Sequence, residues 1–194
     1  MEKLKYILIL FFSGIASHAA EAQESDFIRQ GLLRSQLTLS PAYRFSDHRT
    51  VFYLHGSFEG YLSSKVSVAG EAYYSMGAIK GTPDIFKYNH NIFFGASWHF
   101  THNRSDLFLG VQPGISITKL DEKQSHFSST RTGINPLVSS VAGYNYYVNN
   151  IFHFFIHTRF VYGEHNYDAH ESLTEMRISA GLGFNLNAMN NRDE

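Results

Sequence analysis

From residue 33 onward the chain is written with a period of two, and the pattern recurs in eight segments: 33–45, 52–62, 66–76, 91–100, 106–118, 136–146, 152–162 and 175–186. Alternation of this kind places successive side chains on opposite faces of a strand. Residues 52–62 set Phe52, Leu54, Phe58 and Leu62 against Tyr53, His55, Ser57 and Glu59. Residues 175–186 set Met176, Ile178, Leu182, Phe184 and Leu186 against Glu175, Arg177, Ser179 and Asn185. Across all eight segments the apolar face carries no Asp, Glu, Lys or Arg, whereas the other face carries Arg34, Arg44, Glu59, Glu71, Asp106, Arg159, Glu175 and Arg177.

Two kinds of β-architecture accommodate such strands. A soluble sandwich or barrel turns the charged face to water, whereas a transmembrane barrel turns it into the lumen and gives the apolar face to lipid. Three features favour the second. The segments run to about eleven residues, the length a tilted strand needs to cross a bilayer and longer than the usual soluble strand. Aromatic residues collect at the ends of the apolar faces (Tyr43, Phe45, Trp98, Phe100, Tyr144, Tyr146, Phe152, Tyr162 and Phe184), as in the interfacial girdles of membrane barrels. The connections also alternate: 63–65, 101–104 and 147–150 are tight, whereas 77–87, 119–133 and 163–172 are long and polar, with 46–50 the one short outer connection. The predicted fold is all-β, an eight-stranded antiparallel up-and-down transmembrane β-barrel.

Composition agrees. A mean hydropathy of −0.22 excludes a polytopic helical membrane protein but not a barrel, which meets lipid with every second residue. A net charge of −1 offers no basic footprint for nucleic acid, and the absence of cysteine excludes disulfides, thiolate metal sites and a cysteine nucleophile. Residues 1–22 read as a cleaved secretory signal peptide: Lys3 and Lys5 precede an apolar run, and Ala20-Glu21-Ala22 closes it. The chain then divides into a periplasmic N-terminal segment (23–32), the barrel (33–186) and a polar C-terminal tail (187–194).

With these features the sequence resembles the small eight-stranded outer-membrane β-barrels of Gram-negative bacteria, the OmpA/OmpX-type, porin-like family. The resemblance covers nearly all of the chain after residue 22 and rests on architecture, without a short diagnostic motif. It implies an outer-membrane location after export, outer-membrane lipid and lipopolysaccharide as surroundings, and handling by the barrel insertion machinery. One departure is that family members usually finish on a terminal aromatic, whereas here Phe184-Asn185-Leu186 is followed by the polar tail. A lipocalin-like soluble barrel is the competing fold. Its Gly-x-Trp signature near the first strand is missing, since the one tryptophan is Trp98 in the fourth segment.

Eight strands enclose a space that side chains fill, so the eight charged residues predict a structural ion-pair network; a narrow or gated channel is the functional alternative. The histidines predict no metal site, because His153 and His157 on one strand lie about 13 Å apart. No cofactor is expected. His126-Phe127-Ser128 is similar to the His-x-Ser pair of an outer-membrane lipid A deacylase family, but no Asp or Glu occurs between Ser129 and Gly163 to orient the histidine. The expected role is therefore non-enzymatic: envelope maintenance, or surface interaction through the outer loops. Lys80, Lys87, Lys119, Lys123 and Arg131 in those loops suit lipopolysaccharide phosphates. A surface ligand is not identified by the sequence.

Overall fold

A computed structural model describes residues 27–78, 84–122, 130–167 and 169–187. The signal-peptide reading of 1–22 and the tail beyond Asn187 lie outside them. The strands are β1 (Leu32–Arg44), β2 (Arg49–Tyr61), β3 (Val66–Ala78), β4 (Phe86–His102), β5 (Ser105–Leu120), β6 (Gly133–Tyr147), β7 (Phe152–Asn166), β8 (His170–Ser172) and β9 (Glu175–Asn187). Each long strand pairs antiparallel with the next, and β1 pairs with β9, so eight staves close into a barrel. The short β8 pairs with the upper end of β7, from Glu164↔Ser172 to Asn166↔His170.

The alternation read from the sequence sets the two surfaces. Leu37, Phe94, Val111, Phe154 and Leu182 face outward and are exposed, whereas Arg34, His55, Asp106, Arg159 and Arg177 face inward and are buried. This inverts a soluble barrel, whose interior would be apolar, and it overturns the lipocalin-like alternative. A continuous apolar wall of this kind is stable only against an apolar solvent.

Strand ends differ from the expected ones. β4 starts at Phe86, five residues earlier than the alternation suggested, because Phe86, Tyr88, Asn89 and His90 continue the ladder with β5. Above the apolar belt the outward side is polar, as at Lys87, so the hydropathy contrast ends before the pairing does. For the same reason the expected loop 163–172 contains the end of β7 and all of β8. At the other end, Leu32 already belongs to β1, and Ile28 of the N-terminal segment is buried among Leu32, Tyr61 and Tyr147.

The β1–β9 seam is irregular. Its ladder runs from Leu32↔Asn187 to Gln36↔Gly183 and resumes at Ala42↔Arg177, with a gap between. Pro41 lies in the gap and has no N–H to give. Side chains substitute: Thr38 Oγ1 donates to the Ala180 carbonyl at 2.7 Å, and Ser40 Oγ to the Ile178 carbonyl at 2.9 Å.

Candidate functional site

The interior is layered. At the tight-turn end, Ile28, Leu32, Tyr61 and Tyr147 pack with Phe27 into an apolar cap. At the loop end a second apolar layer includes Val51, Phe86, Leu120, Leu137, Val161 and Leu173. Between them lie the charged residues, divided into two clusters.

The lower cluster is centred on Arg34. Its Nε donates to Glu59 at 3.0 Å, and its Nη1 donates to the Tyr147 hydroxyl at 3.1 Å and reaches Asp106 at 3.4 Å. Asp106 also accepts from Tyr61 at 3.2 Å and from Asn145 at 2.9 Å. His99 bridges the two acids, with Nδ1 2.9 Å from Asp106 and Nε2 3.2 Å from Glu59. Two carboxylates thus share one guanidinium and one imidazole. The turn-end cap covers them, so water does not compete for these bonds.

The upper cluster contains two complete ion pairs. Arg159 binds Glu71 through Nη2, while its Nη1 donates to Gln112 at 2.9 Å and to Ser139 at 2.6 Å. Arg177 binds Glu175 on its own strand, with Nε 2.8 Å from Oε1, and reaches Asn91. The two arginines are direct cross-strand partners on β7 and β9. Aromatic faces reduce the conflict: Arg177 lies 4.3 Å from the ring centroids of both Tyr53 and Tyr73, and Arg159 lies 4.7 Å from Phe93. A guanidinium over a ring face is attracted by the ring quadrupole. Gly114 makes room for this box, since a Cβ there would fall 2.4 Å from Phe93.

Of the eight charged residues, seven meet one another in these two clusters. Arg44 differs: it sits above the loop-end layer, bonded to Asp47 at 2.9 and 2.6 Å and to Asp84 at 2.6 Å, with Phe86 beneath it. Its partners come from loop-end residues, so strand alternation could not identify them. Glu59 and Glu71, on consecutive strands, bind different arginines, Arg34 and Arg159. Sequence reasoning did not single out Tyr53, Tyr73, Phe93 or Gln112. Their signal was an inward position beside the charged residues, on a face already called polar.

The aromatic residues occupy two levels of the wall. Trp98, Phe100, Tyr144, Tyr146, Phe152 and Phe184 lie toward the turn end, and Tyr43, Phe45 and Tyr162 toward the loop end. Tyr144 and Phe152 are only partly exposed, because the Tyr144 hydroxyl bonds to Ser105 at 2.8 Å and Phe152 packs on Phe184.

His153 and His157 keep separate surroundings, the former bonded to Asn185 at 2.7 Å and 3.0 Å from Gln36. His157 meets His55 across the lumen, ring centroids 5.2 Å apart. A small cavity of about 20 Å³ lies between the clusters, lined by Gln36, Ser57, Glu59, Glu71, Phe108 and His157 among others. His126 and Ser128 lie outside the described residues.

No protein-family model matches the sequence, and no curated protein matches it either. Solved structures do match in fold. The chain is similar to the outer membrane protein OprG of Pseudomonas aeruginosa at 11% identity, covering 85% of this chain and 100% of that one with a TM-score of 0.62. It is similar to Neisserial surface protein A at 12% identity, covering 80% and 96% with a TM-score of 0.61. It is also similar to Ail, the attachment invasion locus protein of Yersinia pestis, in complex with the heparin analogue sucrose octasulfate, at 12% identity, covering 81% and 99% with a TM-score of 0.54. The shared architecture is that of the small eight-stranded outer-membrane β-barrels.

Proposed function

We propose that a barrel of this architecture, apolar outside and closed inside, is an integral protein of the Gram-negative outer membrane with a non-enzymatic role in envelope maintenance or surface interaction. Export uses the 1–22 segment as a cleaved signal peptide, and the insertion machinery delivers the barrel into lipid and lipopolysaccharide. The observation that carries this reading is the sealed interior: paired charges fill the middle, and an apolar layer closes each end. A lumen so filled leaves the outer loops as the part of the chain open to partners. The name of the similar Ail barrel, and its complex with a heparin analogue, accord with a surface role. Lys87, Lys119 and Arg131 stand at the loop end and suit anionic partners such as lipopolysaccharide phosphates. Lys80 and Lys123 belong to the same proposal but lie outside the described residues.

Membrane fractionation with a heat-modifiable gel shift tests the location. The expected result is an outer-membrane fraction with a shift, and a soluble periplasmic fraction without one overturns the reading. Deleting residues 121–130 is expected to leave the gel shift intact while weakening surface binding. No specific observation favours the channel, for which planar-bilayer conductance is the test, or the hydrolase, for which lipid A mass spectrometry with Ser128→Ala is the test.

A further inference from the structure

The buried histidines at mid-barrel meet a glutamate in a way that spacing along the chain did not foretell. One ligand atom each from His55 on β2, Glu71 on β3 and His157 on β7 lie within 4.8 Å of one another, and all three residues are buried. From this geometry we propose that His55, Glu71 and His157 form a site for one divalent transition-metal ion of zinc-like chemistry.

Two further observations point to a ligand. His55 turns its Nε2 to Glu71 Oε2 at 3.0 Å, while His157 Nε2 is buried without a hydrogen-bond partner. A buried imidazole nitrogen left this way forfeits a bond, which binding an ion restores. The roughly 20 Å³ cavity lined by Glu71 and His157 is the size of one water molecule and supplies a fourth position.

The rings are also held in place. His55 stacks on Tyr73 at 4.2 Å, and His157 on Phe155 at 5.7 Å. Gly143 leaves the space His157 occupies, since a Cβ there would fall 2.5 Å from the His157 Cβ. Two imidazoles, one carboxylate and one water form a tetrahedral set suited to Zn²⁺, whose ligand atoms stand about 3.3 Å apart once bound. The three atoms lie within 4.8 Å of one another, so closing on an ion requires shifts of up to roughly 1.5 Å, shared among the three side chains.

Charge favours and opposes the ion in turn. The two mid-barrel clusters hold four acids (Glu59, Glu71, Asp106, Glu175) against three arginines (Arg34, Arg159, Arg177), leaving one negative charge over when the histidines are neutral. It lies in the lower cluster, whose Glu59 lines the same cavity as Glu71 and His157. Arg159, Gln112, Tyr73 and His55 all bond to Glu71, so the ion displaces at least one of them. Gln112 and Ser139 also hold the other amino group of Arg159 and keep it placed when Glu71 turns to the metal. Both ends of the interior are closed by apolar layers, so the ion enters while the barrel forms.

The test refolds the full chain in detergent with Zn²⁺ alone as probe, removes free metal by gel filtration, and counts zinc in the heat-modifiable, folded fraction. One zinc per chain is expected, falling to near zero in His55→Ala/His157→Ala. His153→Ala, which changes a lumen histidine outside the triad, is expected to keep it. Folded wild-type protein without stoichiometric zinc overturns the proposal, as does a folded double variant that retains it. Should the double variant not fold, zinc-edge X-ray absorption on the wild type decides: two imidazole ligands are expected, and a shell without imidazole overturns the site.

Discussion

The two charged clusters solve the same problem with different means. The upper one matches Glu71 and Glu175 with Arg159 and Arg177 and spreads the guanidinium charge over Tyr53, Tyr73 and Phe93. The lower one has two acids and a single arginine, and relies on His99, tyrosines and Asn145 to complete the shells of Glu59 and Asp106. Balanced charge makes the upper cluster intolerant of losing either sign. The lower cluster carries a surplus carboxylate, so one of its acids can be neutralised without leaving a bare cation.

Predictions that break or sharpen this contrast follow in order of size, each read by unfolding in detergent micelles with Trp98 fluorescence. Arg177→Ala strands Glu175 as an unpaired buried charge and is expected to cost about 3–5 kcal/mol. Glu175→Gln is expected to fall in the same range, because it strands the arginine instead. Phe93→Leu removes a ring beneath two guanidinium groups and leaves a small void, for about 1–2 kcal/mol. Asp106→Asn removes the surplus charge while keeping an acceptor for Tyr61, and is expected to cost only about 1 kcal/mol. Equal losses for Asp106→Asn and Glu175→Gln would remove the distinction between the clusters. Thr38→Ala, outside both clusters at the β1–β9 seam, is expected to cost about 0.5–1 kcal/mol while raising amide hydrogen exchange in residues 37–40.

Facing was legible in the sequence wherever the two sides of a strand meet different solvents. Leu37, Leu54 and Phe94 could be placed outside, and Arg34, Glu71 and Arg159 inside, because a period of two carries that information. It carries nothing about height or position around the cylinder, so that Glu71 and Arg159, 88 residues apart, meet across the lumen only once register and stagger are set. The same limit concealed the approach of His55 to His157. Apolar closure was illegible for another reason: Ile28, Phe86 and Leu173 lie at or beyond the ends of alternating segments, where single apolar residues carry no periodic signal.

The way the charges are shared among strands constrains the order in which the barrel can enter a bilayer. Arg34 meets Glu59 within the first hairpin, so β1 and β2 can neutralise each other early. Glu71 on β3 has its arginine on β7, four strands later. A partly assembled sheet would therefore present an uncompensated carboxylate to hydrocarbon, at a cost of a few kcal/mol near the midplane. Hydrogen bonding penalises an open edge in any sheet. Here an unmatched ion adds a second penalty, so crossing the membrane and curling the last strands into place become one kinetic event.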